Sequence, residues 1–258
     1  MILLEGKSLS NEILLDLKSK IESLPSRINL DIILVGNDPS SVTYVDIKQK
    51  KAEFVGINCR VHRLPEDTSY EKLQKEAQDL NQNPECNGYF FQLPIPSLSN
   101  PSALLKQIDI AKDVDGLNPE SGVYPAVVRA IVNLLENYQI TFDQKNIVIV
   151  NDSDLIGKPL RKYLSQYTSN ITLLNRESLD LTPHTSEADI LISATGVKNL
   201  ITADMVKEGA IVVDVANGDV DFENVSKKCS FITPTFGGVG PMTVASLLET
   251  TFSLSQRK

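Results

Sequence analysis

The chain has 258 residues, 41% of them hydrophobic and 22% charged, a composition that supports a packed core and excludes a disordered chain. Its 25 basic and 33 acidic side chains give a net charge of −8, which argues against nucleic acid as a partner, because duplex binding needs a basic surface to displace counterions. Three widely spaced cysteines and two histidines offer neither a disulfide framework nor a metal centre, and no apolar run approaches the roughly 20 residues that span a bilayer. Met1 to Ser10 also lacks the basic-then-apolar layout of a signal segment. The expectation is a soluble, mildly acidic protein of enzyme size in a reducing, cytoplasmic compartment, with no metal and no membrane partner.

In chain order, Asn29–Val35 is an apolar run closed by Gly36-Asn37-Asp38-Pro39 and reads as a strand. Ser40 is placed to cap a helix that runs to Val55 and ends at Gly56. Residues 57–64 read as a second strand, 69–80 as an amphipathic helix, and 88–93 as a third strand stopped by Pro94 and Pro96. A short helix over 101–108 and a longer one over 125–137 follow. Strands at 147–150, 171–174, 190–193 and 210–215 form a second alternating series, and 243–255 reads as a final helix that packs back on the first half. Short apolar strands alternating with helices indicate an α/β protein with parallel sheets covered on both faces. Gly116, Pro119 and Gly122 interrupt the pattern, so the boundary is expected there. The expected domains are residues 1–118 with the terminal helix 243–258, and residues 119–242.

Four motifs carry chemistry. Tyr44 and Lys48 are four residues apart on one helix, which puts a ring and an amine on one face. They read either as a stacking surface beside a proton carrier or as a half-buried tyrosine with a surface lysine. The same Tyr-x-x-x-Lys spacing occurs in short-chain dehydrogenases, but those begin with a glycine-rich strand–turn–helix that Met1–Ser10 does not provide. Gln92-Leu93-Pro94-Ile95-Pro96 follows a strand, where ligands of open α/β sheets collect. Lys112-Asp113-Val114-Asp115-Gly116 places a carboxylate that can accept paired N–H bonds, or forms a solvated turn. Gly237, Gly238 and Gly240, followed by Pro241, let backbone approach a ligand ahead of the last helix.

Together and in this order, these motifs resemble the bifunctional methylenetetrahydrofolate dehydrogenase/methenyltetrahydrofolate cyclohydrolase family. The resemblance runs nearly end to end, through VGNDPSSVTYVDIKQKKAEFVGI, QLPIP, KDVDG, IGKP, ADILISATG, VKEGAIVVDV and ITPTFGGVGPMT. It implies a two-domain α/β homodimer. The N-terminal catalytic domain binds folate, and a Rossmann-like domain binds a nicotinamide dinucleotide. It implies oxidation of methylenetetrahydrofolate and hydrolysis of the methenyl product to 10-formyltetrahydrofolate. Carried over residue by residue, Lys48 is the catalytic lysine, Gln92 its partner, Asp115 the pterin-binding acid and Tyr44 the folate-stacking ring. Pro94, Gly237, Gly238, Gly240 and Pro241 line the folate, and Asn151, Asp152, Ser153, Ile156, Gly157, Arg176, Thr195 and Gly196 face the dinucleotide.

The second half departs from the family. The Gly-Arg-Ser that follows the family's first strand of this half reads Asn151-Asp152-Ser153 here, and no GxGxxG is present. Asp152 repels a ribose phosphate, whereas Arg176, just past the next strand, attracts one; the expectation is NADP, with NAD as the alternative. The segments around 116–125 and 215–219 are shortened, and Val127 stands where the family has a threonine facing the nicotinamide. The alternatives are therefore a cyclohydrolase with weak or lost dehydrogenase activity and a non-catalytic folate- or nucleotide-binding relative. A shikimate dehydrogenase relative is the remaining one, suggested by Asn175-Arg176-Glu177-Ser178.

Overall fold

The computed structural model of the chain describes residues 1–257. It begins with β1 (Ile2–Leu3), α1 (Gly6–Glu22), β2 (Asn29–Val35), α2 (Pro39–Val55) and β3 (Asn58–Leu64). Next come α3 (Tyr70–Gln82), β4 (Gly88–Phe91), α4 (Ser102–Leu105), α5 (Ala126–Asn137) and β5 (Ile147–Val150). Then follow α6 (Gly157–Leu164), β6 (Ile171–Leu174), α7 (Thr182–Thr185), β7 (Ile190–Ser193) and β8 (Ile211–Asp214), with a single 3-10 turn at Ala203–Met205. The chain closes with α8 (Phe222–Val225), β9 (Phe231–Ile232) and α9 (Val239–Ser255).

Two compact units result. One comprises Met1–Ser10 and Val127–Thr243, and the other comprises Asn11–Ala126 and the residues from Val244 on. The division differs from the expected one at its edges. Residues Ile2 and Leu3 pair in parallel with Phe231 and Ile232, so β1 extends the sheet of the second half rather than that of the first. Both β1 and α1 lie ahead of Asn29, where the sequence analysis assigned its first element.

The unit built around Asn11–Ala126 holds a parallel three-stranded sheet in the order β3-β2-β4. Asp38, not Ser40, caps α2: its Oδ2 accepts the Ser41 amide at 2.8 Å, and Pro39 occupies the first turn, where its missing N–H is no loss. Gly56 ends α2 in the left-handed region at φ 91°, and its N–H returns to the carbonyls of Ala52 and Glu53. The buried stripe of α2 is Ser41, Val45, Lys48, Ala52 and Val55, so helical periodicity itself turns Lys48 inward. Val244, Leu247, Leu248 and Leu254 of α9 share this core with Leu30, Ile32, Val45 and Phe90, as the sequence led one to expect. The third strand stops at Phe91, although the Gln92 amide still bonds to the Ile33 carbonyl at 2.8 Å.

The other unit holds six parallel strands in the order β1-β9-β8-β7-β5-β6. The chain leaves β5 for the edge strand β6 and returns across β5 to β7. That reversal opens a crevice beyond the carboxyl ends of β5 and β7. β5 and β7 are buried throughout, as strands covered on both faces must be. No helix among the described residues is long and apolar enough to cross a membrane.

Candidate active site

Lys48 and Gln92 meet although 44 residues separate them. Lys48 is carried by the buried stripe of α2, and Gln92 follows β4, next to the central strand. The Lys48 Nζ donates to Gln92 Oε1 at 3.1 Å, and Asp115 Oδ2 lies 4.0 Å from the same nitrogen. Gln92 is held in turn by its Nε2, which donates to the Leu93 carbonyl at 2.8 Å. The Tyr44 ring centroid is 4.8 Å from Nζ. Lys48 is only 3% exposed, which rules out the surface-lysine alternative. Burial pushes its pKa below the ordinary lysine value, and the Asp115 carboxylate pulls the other way. Pro94 follows Leu93 through a cis peptide bond. Tyr44, Lys48, Gln92 and Asp115 therefore converge on one point.

The segment 112–116 is not a solvated turn. Lys112 is buried, and its ammonium donates at 2.8 Å to each of three carbonyls, those of Leu80, Asn81 and Asn83, at the carboxyl end of α3. A cation there also complements the negative end of the helix. Asp113 is fully buried and accepts the amides of Leu117 at 3.0 Å and Asn118 at 2.8 Å. Gly116 has φ 71°, and a Cβ there would sit 2.6 Å from the carbonyl carbon of Tyr124. Only glycine fits so close to the 124–125 backbone. Lys112, Asp113 and Gly116 thus build the turn, which leaves Asp115 to face Lys48. Sequence reading had no means of dividing these roles, because each depends on a partner outside the motif.

In the second unit, Asn151 follows β5 and its side chain is fully engaged. Its Nδ2 donates to the Ala194 carbonyl at 2.7 Å, and its Oδ1 accepts from the Ser153 amide, the Ser153 hydroxyl and the Gly157 amide at 2.8–3.0 Å. The Ile156 amide donates to Ser153 Oγ at 3.2 Å. A Cβ at Gly157 would lie 1.9 Å from the Asn151 carbonyl oxygen, so this glycine is required by packing. Asp152 Oδ2 accepts from Asn175 Nδ2 at 2.8 Å, which ties the β5 end to the loop that carries Arg176. Thr195 donates its amide and hydroxyl to Asp219 Oδ2 at 2.6 and 2.9 Å, and Ser193 donates to the same oxygen at 2.6 Å. Asp219, not foreseen from the sequence, therefore fastens the β7 end to the shortened 215–219 segment.

Gly196 follows with φ 73° and nothing within 4 Å of where a Cβ would sit. It borders a cavity of about 510 Å³ that is also lined by Lys198, Asn217, Phe222 and Phe236. This cavity lies beyond the ends of β7, β8 and β9, and Gly196 is the one residue of its lining that also belongs to the expected dinucleotide set. In the same unit Gly237, at φ 89°, accepts at its carbonyl the amides of Gly6 and Lys7, both at 2.9 Å. Gly238, Gly240 and Pro241 follow at the start of α9. Among the described residues there is no cluster of three or more metal-ligating side chains.

Comparison with known proteins agrees with both halves of this geometry. Residues 4–115 match the profile described as tetrahydrofolate dehydrogenase/cyclohydrolase, catalytic domain, and residues 125–258 match that of the NAD(P)-binding domain. The bifunctional protein FolD of Aliarcobacter butzleri is 40% identical over 278 residues, covering 99% of this chain and 97% of its own. The crystal structure of the bifunctional FolD methylenetetrahydrofolate dehydrogenase/cyclohydrolase of Campylobacter jejuni superposes with a TM-score of 0.94 at 39% identity, covering 100% and 99% of the two chains. The Trypanosoma brucei FolD, solved with NADP and an inhibitor, also reaches 0.94, at 27% identity and with 100% and 98% coverage. Shikimate dehydrogenases match at a TM-score of at most 0.57 and 12–13% identity, which is a likeness of fold alone. The chain belongs to the tetrahydrofolate dehydrogenase/cyclohydrolase family.

Proposed function

We propose that this chain oxidises 5,10-methylenetetrahydrofolate and hydrolyses the methenyl product to 10-formyltetrahydrofolate, using Lys48 as the proton-transfer group. The observation that carries this reading is the buried Lys48 ammonium at 3.1 Å from Gln92 and 4.0 Å from Asp115. A nicotinamide dinucleotide, when bound, accepts the hydride from the methylene carbon. The folate's own nitrogens stabilise the resulting cation, so the protein's task in that step is to hold the substrate in line. Tyr44 offers a stacking face and Asp115 accepts N–H groups of the pterin edge. In hydrolysis, water adds to the methenyl carbon while the Lys48 amine takes its proton. The carbon–N5 bond then breaks as the hydroxyl on that carbon becomes the formyl carbonyl, and the proton that it loses is passed to N5. Gln92 keeps the amine in place without adding a charge that would oppose the cationic substrate. Pro94 and the Gly237, Gly238, Gly240 and Pro241 segment are the further folate-lining candidates.

For the dinucleotide, the candidates are Asn151, Asp152, Ser153, Ile156, Gly157, Arg176, Thr195 and Gly196, with NADP as the reading and Arg176 as the partner of its extra phosphate. NAD is the alternative that Asp152 favours. A homodimer in the cytoplasm is the proposed state; the three cysteines, all free and buried, are compatible with a reducing compartment. A second reading, a cyclohydrolase with weak dehydrogenase activity, is favoured by one observation. The Asn151 side chain already takes the Gly157 amide at the start of α6, a donor that a phosphate would otherwise use.

The test is an absorbance assay of purified protein with methylenetetrahydrofolate and NADP or NAD, following reduced cofactor and methenyl product separately. Lys48→Met is expected to lose hydrolysis by roughly a hundred- to ten-thousand-fold while folate still binds. Hydrolysis at the wild-type rate would remove Lys48 from the mechanism. Methenyl hydrolysis without reduced cofactor would select the second reading.

A further inference from the structure

Two aromatic rings face the Lys48 ammonium. The Phe90 centroid is 4.2 Å from Nζ, closer than that of Tyr44 at 4.8 Å. Phe90 lies on β4 two residues before Gln92, so the ring and the amide project to the same side of the extended chain. The ring is fully buried in the core shared with Leu30, Ile32 and Val45, and packing fixes its orientation.

The other groups around the ammonium provide little charge to compensate its burial. Asp115, in the segment after β4, contributes a carboxylate at 4.0 Å. Gln92 carries no charge. Cys59, on β3, is neutral too, since burial pushes its thiol up to about 12. A cation taken out of water beside one carboxylate needs a further stabiliser. The face of an aromatic ring within about 6 Å supplies one, and the attraction strengthens as water is excluded.

We propose that Phe90 is a positioning residue for the hydrolytic step, its ring face holding the Lys48 ammonium against Gln92 and stabilising the protonated state. The proposal rests on the reading of Lys48 as the proton-transfer group. Phe90 thereby helps set the pH at which Lys48 gives up its proton, and so the pH range over which hydrolysis runs.

The experiment compares wild type with Phe90→Leu, which keeps apolar bulk but has no ring face, and with 3,4,5-trifluorophenylalanine incorporated at position 90. The fluorinated ring keeps the shape and drains negative charge from the face, so it separates packing from attraction. Two readouts apply: the titration of Lys48 by NMR in lysine-labelled protein, assigned from the signal missing in Lys48→Met, and the pH–rate profile of methenyltetrahydrofolate hydrolysis. Phe90→Leu is expected to move both to lower pH, with the ammonium-to-amine ratio at fixed pH falling about tenfold. The fluorinated variant is expected to move them the same way by less, and Phe90→Tyr to stay near wild type. A fluorinated variant titrating at the wild-type pH would overturn the proposal and leave Phe90 as packing alone. If the titration moves but Lys48→Met still hydrolyses at the wild-type rate, the reading of Lys48 has failed instead, and the hydrolytic role of Phe90 falls with it.

Discussion

Asp115→Asn separates the two interactions proposed for this carboxylate, one with the folate and one with Lys48. The substitution keeps the shape, removes the charge and turns one acceptor into a donor. At the observed 4.0 Å from Lys48 Nζ, an effective dielectric of about 20 gives an attraction of roughly 4 kcal/mol as an upper bound. Asp115 keeps 16% of its side chain exposed, and solvent at that rim holds the net attraction to Lys48 below this bound; for each charged hydrogen bond that it accepts from the folate, about 1.5–3 kcal/mol is expected. Applied to folate, the same range predicts binding weaker by roughly 10- to 150-fold, measurable by calorimetry with a tetrahydrofolate derivative that does not react. The pH effect has a definite sign. Burial lowers the Lys48 pKa and Asp115 raises it, so losing the carboxylate moves the titration further down. If the amine is the base, the acid limb of the hydrolysis profile extends to lower pH in the variant. Unchanged folate affinity together with an unmoved acid limb would show that Asp115 only shapes the turn.

Two further outcomes follow from the same geometry. Lys112→Met leaves three carbonyls at the end of α3 without their donor and is expected to destabilise the Asn11–Ala126 unit by about 3–5 kcal/mol, read from urea unfolding; a loss under about 1 kcal/mol would mean that those bonds are replaced by water. Arg176→Ala is expected to lower the NADP/NAD preference by roughly tenfold or more, measured as the ratio of the two dissociation constants, whereas equal effects on both cofactors would place Arg176 away from the ribose phosphate.

The sequence by itself determined strands β2 to β8 and helices α2 to α5 and α9, because apolar runs broken by glycine and proline can be read without knowing what they pack against, whereas α1, α6 and β9 were not among the elements read from it. The ends of α2 moved only from Ser40 to Asp38 at the cap, a choice between two side chains that both accept hydrogen bonds. The spacing of Tyr44 and Lys48 left a surface lysine open, and the structure decided it by burying Lys48 in the stripe of Ser41, Val45, Ala52 and Val55. The family motifs brought together Tyr44, Lys48, Gln92 and Asp115, but as a resemblance; spacing alone cannot join residues 44 and 92. Only the tertiary structure decided what lies around them. The pairing of two-residue β1 with β9 crosses almost the whole chain, and segments that short carry no period to detect. Lys112 proved to be a cap for α3 and Asp113 a turn acceptor, because carbonyls some thirty residues away and amides past the motif receive them. Phe90 looked like one more strand residue until the order β3-β2-β4 set β4 beside the central strand and brought its ring face to the Lys48 ammonium. Local chemistry writes elements and candidate groups into a sequence, but burial, charge compensation and the choice of partner arise from contacts between distant residues, and these exist only after the chain has folded.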